Sequence, residues 1–359
     1  VAQLEHPPAD ACAVLKQAAR QCVPSGARVL LAVSGGSDSM ALLGLAAPLF
    51  GQRAAVVHVR HGLRSTGERD AAFVADACRQ LGIACEILDA APTPAQPGRS
   101  ETAARRRRLA ALATAAHRQR AACVLFAHHL DDELETLLLH RWRGHAGVRA
   151  LAGMPVLRTL APEVLLLRPF LCAVQPPGRA ELGRQRRAAG LAHVEDETNA
   201  DLRVPRNAAR ALLAEAGLQG RAALLALRGA ARVRLARLLA QALERIERHL
   251  QPEGLGSRIA AEAFHVLPGE DGHALRAELL RLLGPALARP RRIDPRASVL
   301  RELESRLIAG GTLQLPATPT PLAARFRAGA LHLPDDPPLP LPPAARALVA
   351  LLASPPPGA

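Results

Sequence analysis

"LLAVSGGSDSMALL", Leu30 to Leu43, decides the fold. An apolar run ends at Val33, a turn of serine and glycine follows, and a second apolar stretch starts at Met40. That order predicts a buried strand, a tight turn and a helix. The backbone N–H groups of Gly35, Gly36 and Ser37, the hydroxyls of Ser34 and Ser39, and the helix N-terminus then form a nest for an anion. No lysine follows the glycines, unlike loops that neutralise a triphosphate losing its γ group. Asp38 inside the nest would repel phosphate unless Mg2+ bridged the two. Such a site suits pyrophosphate as the departing group, with AMP left on the substrate.

Outward from this loop, short apolar runs alternate with helical stretches: "ARVLLAV", "SMALLGLAAPLF", "RAAVVHV", "ERDAAFVADACRQLG" and "IACEIL". Strand, helix, strand, helix, strand predicts a parallel sheet with crossover helices, whose first turn lies where α/β sheets bind ligands. "APTPAQPGRS" reads as a loop, and Ser100 opens the helix "SETAARRRRLAALATAAH". A strand "AACVLFAHH" and a helix "LDDELETLLLHRW" come next. From about Asn207 to Arg289, leucine, alanine and arginine recur at helical spacing. Past Gly310 a few short strands are expected, and the proline-rich end from Pro334 is expected to be disordered. The fold class is therefore α/β: a parallel-sheet nucleotide-binding domain over residues 1–210, then a smaller, mostly helical domain over 211–305. Residues 306–359 make a small degenerate C-terminal segment.

The chain of 359 residues carries a formal charge of +14, a field that attracts polyanions such as nucleic acid. Lys16 is the only lysine, so part of that basicity reflects an arginine-rich composition. Cys12, Cys22, Cys78, Cys85, Cys123 and Cys172 form no CxxC pair and no zinc-ligand spacing, which argues against metal knuckles and a disulfide framework. A reducing cytoplasm is the expected location. No apolar run of about twenty residues is present, so no membrane span is expected.

Two further clusters carry chemistry. Arg105 and Arg108 are three apart on a predicted helix and share a face, within reach of an α-phosphate or a nucleic-acid backbone. Arg106 and Arg107 read as surface or phosphate contacts. Asp131, Asp132 and Glu135 open the next helix. Asp131 suits the helix dipole, while Asp132 and Glu135, one turn apart, are expected to point into one cleft at the carboxyl edge of the sheet. "HHLDD", with His128 and His129, also admits a metal-dependent phosphohydrolase, but that reading leaves the glycine nest unexplained.

SGGSDS is similar to the SGGxDS motif of the PP-loop ATP pyrophosphatase superfamily, which activates a carbonyl oxygen by adenylation. More segments resemble the tRNA(Ile)-lysidine synthases: "HVRHGLR" (their HVDHGLR), "ETAARRRRL" (ExxARxxRY), "AHHLDDELET" (AHHxDDxxET), "RGHAGVRALAGM" (RGxGxxGLxGM), "RPFL" (RPLL) and "EDETNADLRVPRNAAR" (EDxSNxDxxxxRNxxR). They occur in the family's order over about Val29 to Arg210. The resemblance implies ATP and Mg2+ as cofactors. It also implies L-lysine as co-substrate and, as RNA substrate, a CAU-anticodon tRNA(Ile), with lysine ligated at C2 of a cytidine through an adenylated intermediate. By the same resemblance Ser34 to Ser39 grip pyrophosphate and Asp38 meets Mg2+. His58 lies near adenosine, and Arg105 and Arg108 match the motif arginines. Asp132 and Glu135 hold lysine and help free one amine of its proton. Arg206 and Asn207, in the polar stretch with Glu195, Asp196, Asn199, Asp201 and Arg210, build the site wall or grip the tRNA. A homodimer is also expected. Arg60, Leu109, and the Val148–Arg149 pair depart from the family pattern. Two competing readings are a PP-loop tRNA thiolase, which would use cysteines as sulfur carriers, and a non-catalytic basic RNA-binding protein.

Overall fold

The computed structural model describes residues 10–60, 67–91, 101–145, 147–161, 163–195, 203–253, 256–264 and 270–283, with strand residues 292–293, 311–315, 317–318, 322–327 and 330–333. They divide into two units, one of residues up to 145 and 153–226, the other of 146–152 and 227–354.

The first unit starts with α1 (Ala11–Cys22), whose N-cap Asp10 accepts a hydrogen bond from Cys12 N at 3.0 Å. There follow β1 (Arg28–Ala32), α2 (Ser37–Phe50), β2 (Ala54–Arg60), α3 (Gly67–Gln80), β3 (Ala84–Asp89), α4 (Glu101–Arg118), β4 (Ala121–Leu125) and α5 (Leu130–Trp142). After the short α6 (Val148–Leu151), which belongs to the second unit, the first unit continues with β5 (Leu157–Ala161), β6 (Val164–Leu167), α7 (Arg179–Ala188), α8 (Pro205–Glu215) and the start of α9 (Gly217–His249).

The sheet order is β3-β2-β1-β4-β6-β5. All neighbours run parallel except β5, which pairs antiparallel with β6, Leu157 opposite Leu167. The expected α/β class with a parallel sheet is borne out; the β5–β6 hairpin was not foreseen. Central strands covered on both faces need unbroken apolar runs, and β1 and β2 are of this kind. Leu30, Val57, Val124 and Leu166 from four adjacent strands pack against Leu112 of α4. Leu109, where the family motif has tyrosine, joins the edge of that cluster as an apolar side chain. Helix α5 is held against α8 by Leu134, Leu137 and Leu213, all buried. This packing fixes the N-terminus of α5 beside that of α2, at the carboxyl edge of the sheet.

A buried acid pins the turn after α6. Glu133, fully buried, accepts from Met154 N at 2.9 Å. Gly153 has φ +80, and a Cβ there would lie 2.4 Å from Glu133 Oε1. Gly153→Ala therefore meets both backbone strain and a carboxylate fixed in place, and is expected to destabilise the fold by about 1–3 kcal/mol. Chemical denaturation of the purified variant checks this; an unchanged midpoint would contradict it.

In the second unit, the rest of α9 leads to β7 (Leu250–Glu253), β8 (Gly256–Ala260), α10 (Glu270–Leu283), β9 (Arg292–Ile293), β10 (Gly311–Leu315), β11 (Ala317–Thr318), β12 (Leu322–Arg327) and β13 (Ala330–Leu333). Strands β10-β12-β13-β8-β7 form an antiparallel sheet, and β11 pairs with β9. The strands expected past Gly310 are present, and β7 and β8 add strands inside the stretch read as helical. Within this unit Arg149, one of the departures from the family pattern, donates from Nε to Glu278 Oε1 at 2.7 Å, and Arg281 donates to the same oxygen of that fully buried carboxylate. No described helix is long and apolar enough to cross a membrane.

Candidate active site

The chain leaves β1 through Val33 to Gly36 and enters α2. Gly35 has φ +92, a left-handed backbone that suits glycine, and a Cβ there would touch Val74 at 3.4 Å. Its carbonyl accepts from Val194 N at 2.9 Å. Ser39 Oγ donates to Gly36 O at 2.9 Å, accepts from Ser34 N at 3.2 Å and lies 3.2 Å from Ser34 Oγ. These internal bonds hold the loop in shape, so its backbone N–H groups need little reorganisation to receive an anion. Ser37 turns towards α7 instead, where its Oγ accepts from Arg186 Nε at 3.3 Å.

Asp38 sits in the first turn of α2 and lines a cleft of about 720 Å³, a volume that suits a nucleotide. Its Oδ2 lies 3.2 Å from His129 Nε2. Burial, the largest single influence, works to raise the Asp38 pKa. The His129 contact and the charges of His129 and Arg179 outweigh it, and the carboxyl stays below the usual range. Oδ1 is buried and has no hydrogen-bond partner among the described residues. A carboxylate oxygen left unsatisfied in a cleft that Ser34 and Ser39 also line is what a hard, oxygen-seeking divalent cation requires, so the residues present fit Mg2+.

His129 is the hub that the sequence reading missed. It is fully buried at the N-cap of α5, its Nε2 facing Asp38 Oδ2 and, at 3.5 Å, Asp132 Oδ2. The Nε2 contacts are ionic rather than aligned hydrogen bonds. Burial opposes its charge most strongly of any single influence, yet Asp132, Asp131 and Asp38 together push its pKa up to about 10. In the neutral ring Nδ1 accepts from Asp131 N at 3.1 Å. The charged ring exchanges that bond for the Asp131 carboxylate at 3.5 Å. The signal in the sequence was a histidine directly before the acids of a helix start, a position that combines capping with proximity to the loop.

The acids of α5 are split by their partners. Asp132 lines the cleft; its Oδ2 accepts from His129 N at 3.2 Å and its Oδ1 from Arg206 Nη2 at 2.9 Å. Glu135 does not line the cleft. It is 1% exposed and enclosed by arginines, with Arg206 Nε at 2.7 Å, Arg210 Nε at 2.9 Å and Arg179 Nη2 at 3.6 Å. Asp131 accepts from Arg179 N, the first residue of α7, at 2.7 Å, and pairs with Arg221. Asp131 thus serves the starts of two helices.

Arg105, Arg108 and Arg206 line the same cleft as Asp38 and Asp132. Arg107, read as a surface or phosphate contact, is instead buried and donates from Nε to Ala90 O at 3.0 Å. Its helical position turns it from the cleft towards the sheet. Burial and the positive charges of Arg168, Arg206, Arg105 and Arg108 hold the His128 imidazole neutral. Burial likewise lowers Arg168 to about 9, helped by Arg158 and Arg105. His58, buried at the end of β2, donates from Nδ1 to Val33 O at 3.0 Å and braces the strand that feeds the loop while lining the cleft. Its pKa is lowered chiefly by burial. Arg60, which also lines the cleft, is held in a two-pronged pair with Asp89 on the neighbouring strand, Nε to Oδ1 at 2.8 Å and Nη2 to Oδ2 at 2.7 Å, so its charge is offset by a carboxylate. Asn207 is buried in α8 and is not a lining residue, whereas Glu195 is. Ser100, His61, Asp196, Asn199 and Asp201 lie outside the described residues. Among the described residues no group of three or more histidine, cysteine or acidic side chains could hold a metal on its own. Carboxylates (Asp38, Asp132) and guanidinium groups (Arg105, Arg108, Arg206) therefore line one cleft.

Comparison with known proteins agrees with this geometry. Residues 11–216 match the PP-loop domain family. A tRNA(Ile)-lysidine synthase of Novosphingobium aromaticivorans is 44% identical over 195 residues, covering 53% of this chain and 57% of that protein. One of Salinispora arenicola is 40% identical over 195 residues, with the same coverage. The chain thus spans less than two thirds of the length of these relatives. Among solved structures, a U34-tRNA thiolase from Methanococcus maripaludis superposes with a TM-score of 0.50 at 14% identity, covering 62% of this chain and 77% of that one, a likeness of fold alone.

Proposed function

The chain belongs to the PP-loop domain family, and from that premise we propose that it ligates L-lysine to C2 of the wobble cytidine of the CAU-anticodon tRNA(Ile), at the expense of ATP. Family membership implies ATP binding; the identity of the acceptor and of the amine rests on the relatives' names and on a cleft lined by both acids and arginines. In the first step the C2 carbonyl oxygen bonds to the α-phosphorus of ATP and pyrophosphate leaves. In the second an amine of lysine attacks C2, AMP departs, and the nitrogen loses its proton. Held by Asp38, Mg2+ would neutralise charge on the phosphates.

The residues of this chain divide the work. The loop Ser34 to Ser39 receives pyrophosphate, and Arg105 and Arg108 offset the negative charge that grows at the α-phosphate. Asp132, open to the cleft, receives an ammonium group of lysine and is the carboxylate placed to take its proton. Glu135 acts as a positioning residue: it holds Arg206, which in turn orients Asp132. Asn207 supports the start of α8. The helical stretch 211–305 and the segment 306–359 would extend the RNA contacts beyond the catalytic unit.

The observation that carries this reading is the unsatisfied Oδ1 of Asp38 inside a loop already tied for anion binding. A thiolase is disfavoured because no cysteine lines the cleft among the described residues. Incubation with tRNA, ATP labelled at the α-phosphate and labelled lysine should release pyrophosphate and leave lysine on the RNA. Sulfur incorporation, or ADP as the product, would replace the proposal.

A further inference from the structure

Helix α5 ends in an exposed aromatic side chain between two arginines. Trp142 is 49% exposed. It is the only tryptophan of a chain with six phenylalanines and no tyrosine. Phe50, Phe126, Phe170 and Phe264 are buried and Phe73 is half-buried, whereas Trp142 stands in solvent. Arg141, Arg143 and His145 beside it are exposed as well. The turn that carries them is fixed by Arg143 N to Leu139 O at 3.2 Å, Gly144 N to Arg141 O at 3.0 Å and His145 N to His140 O at 2.9 Å. The rings of His140 and His145 stand 5.9 Å apart across it.

An exposed π face flanked along the chain by two exposed arginines, on a turn fixed by its backbone bonds, has a natural ligand. Bases stack on aromatic rings regardless of sequence, and neighbouring arginines neutralise the phosphates on either side. A ring destined for an apolar protein partner would sit among apolar neighbours; these are cationic, in a chain of charge +14. We propose that Trp142, with Arg141 and Arg143, is a stacking site for an unpaired base of RNA, a second point at which the catalytic unit holds its tRNA. The proposal rests on the reading of tRNA as substrate. Ten residues of α5 separate Trp142 from Asp132, about 15 Å along the helix axis. The stacked base is therefore not the one that reacts.

Because Trp142 is the sole tryptophan, its emission reports directly on this site. An unmodified tRNA transcript, and separately a short single-stranded oligoribonucleotide, should quench that emission and shield the ring from acrylamide, whereas a blunt RNA duplex should do so weakly. Trp142→Ala should bind the transcript about tenfold more weakly at an unchanged melting temperature, with Trp142→Phe retaining most of the affinity. Joint replacement of Arg141 and Arg143 by alanine should flatten the salt dependence of binding. Unaltered emission and acrylamide access at saturating RNA would overturn the proposal, as would wild-type affinity in Trp142→Ala. Self-association abolished by Trp142→Ala, without RNA quenching, would assign the surface to a second copy and also overturn it. Quenching by RNA without any lysine transfer would keep the stacking site and discard the reaction; lysine transfer with an indifferent Trp142 would do the reverse.

Discussion

Asp38→Asn is expected to lower pyrophosphate release about a hundred- to thousand-fold while the protein remains folded. The substitution keeps the shape of the side chain but removes its charge, and with it the means of holding a divalent cation at the buried, unsatisfied Oδ1. Losing one preorganised charge contact at a phosphoryl or acyl centre typically costs this much in rate. The fold should survive because His129 keeps Asp132 and Asp131 as carboxylate neighbours. Asp132→Asn provides the contrast. It meets the same His129 Nε2 as Asp38 and lines the same cleft, but starts a different helix. Adenylated tRNA should still form in that variant, while the KM for lysine rises roughly tenfold and its transfer slows, as loss of one charged hydrogen bond and of the proton acceptor predicts. Rapid quench with α-labelled ATP separates the two steps. Equal accumulation of adenylate in both variants would refute the division of labour between the two acids.

Glu135→Gln should act on stability before it acts on catalysis. The side chain is 1% exposed and faces Arg206, Arg210 and Arg179, whose guanidinium groups are partly exposed, so its neutralisation removes a shared counter-charge and leaves a neutral amide buried among them. Breaking a fully buried pair from one side costs about 3–5 kcal/mol, and access of water to the arginines cuts this to about 1–3 kcal/mol, which for a unit of this size lowers the melting temperature by roughly 5 °C. Asp132→Asn, whose carboxylate is partly open to solvent, should move it far less. If Glu135 instead held lysine directly, Glu135→Gln would raise the KM for lysine and leave the melting temperature in place. Melting curves and lysine titrations on the same preparations decide between the two.

The two acids show how far local sequence reaches. Their spacing in "DDELET" put both on one helix turn, which holds, since α5 runs from Leu130 to Trp142. Spacing could not reveal that Arg206 and Arg210, some seventy positions later, would close over Glu135 and leave Asp132 facing the cleft. The same limit explains Arg107. A run of four arginines gives no sign of which one the helix rotates towards the sheet, and only packing against β-strands selects it. Arg60 reads as a disturbance of local charge until its partner Asp89 appears on the adjacent strand.

The sequence alone determined the alternation of strands and helices in the first unit, the loop between β1 and α2, and the residue types that chemistry at a phosphate requires. These follow from short-range rules, hydrophobic period and backbone freedom at glycine, that operate within a few residues. The tertiary structure decided the rest: His129 as the bridge between Asp38 and Asp132, Glu135 as a positioning residue, and Trp142 as a ring left in solvent. Burial and charge pairing depend on which distant segments pack together, and a side chain's partners across the fold are written in no stretch of its own neighbourhood.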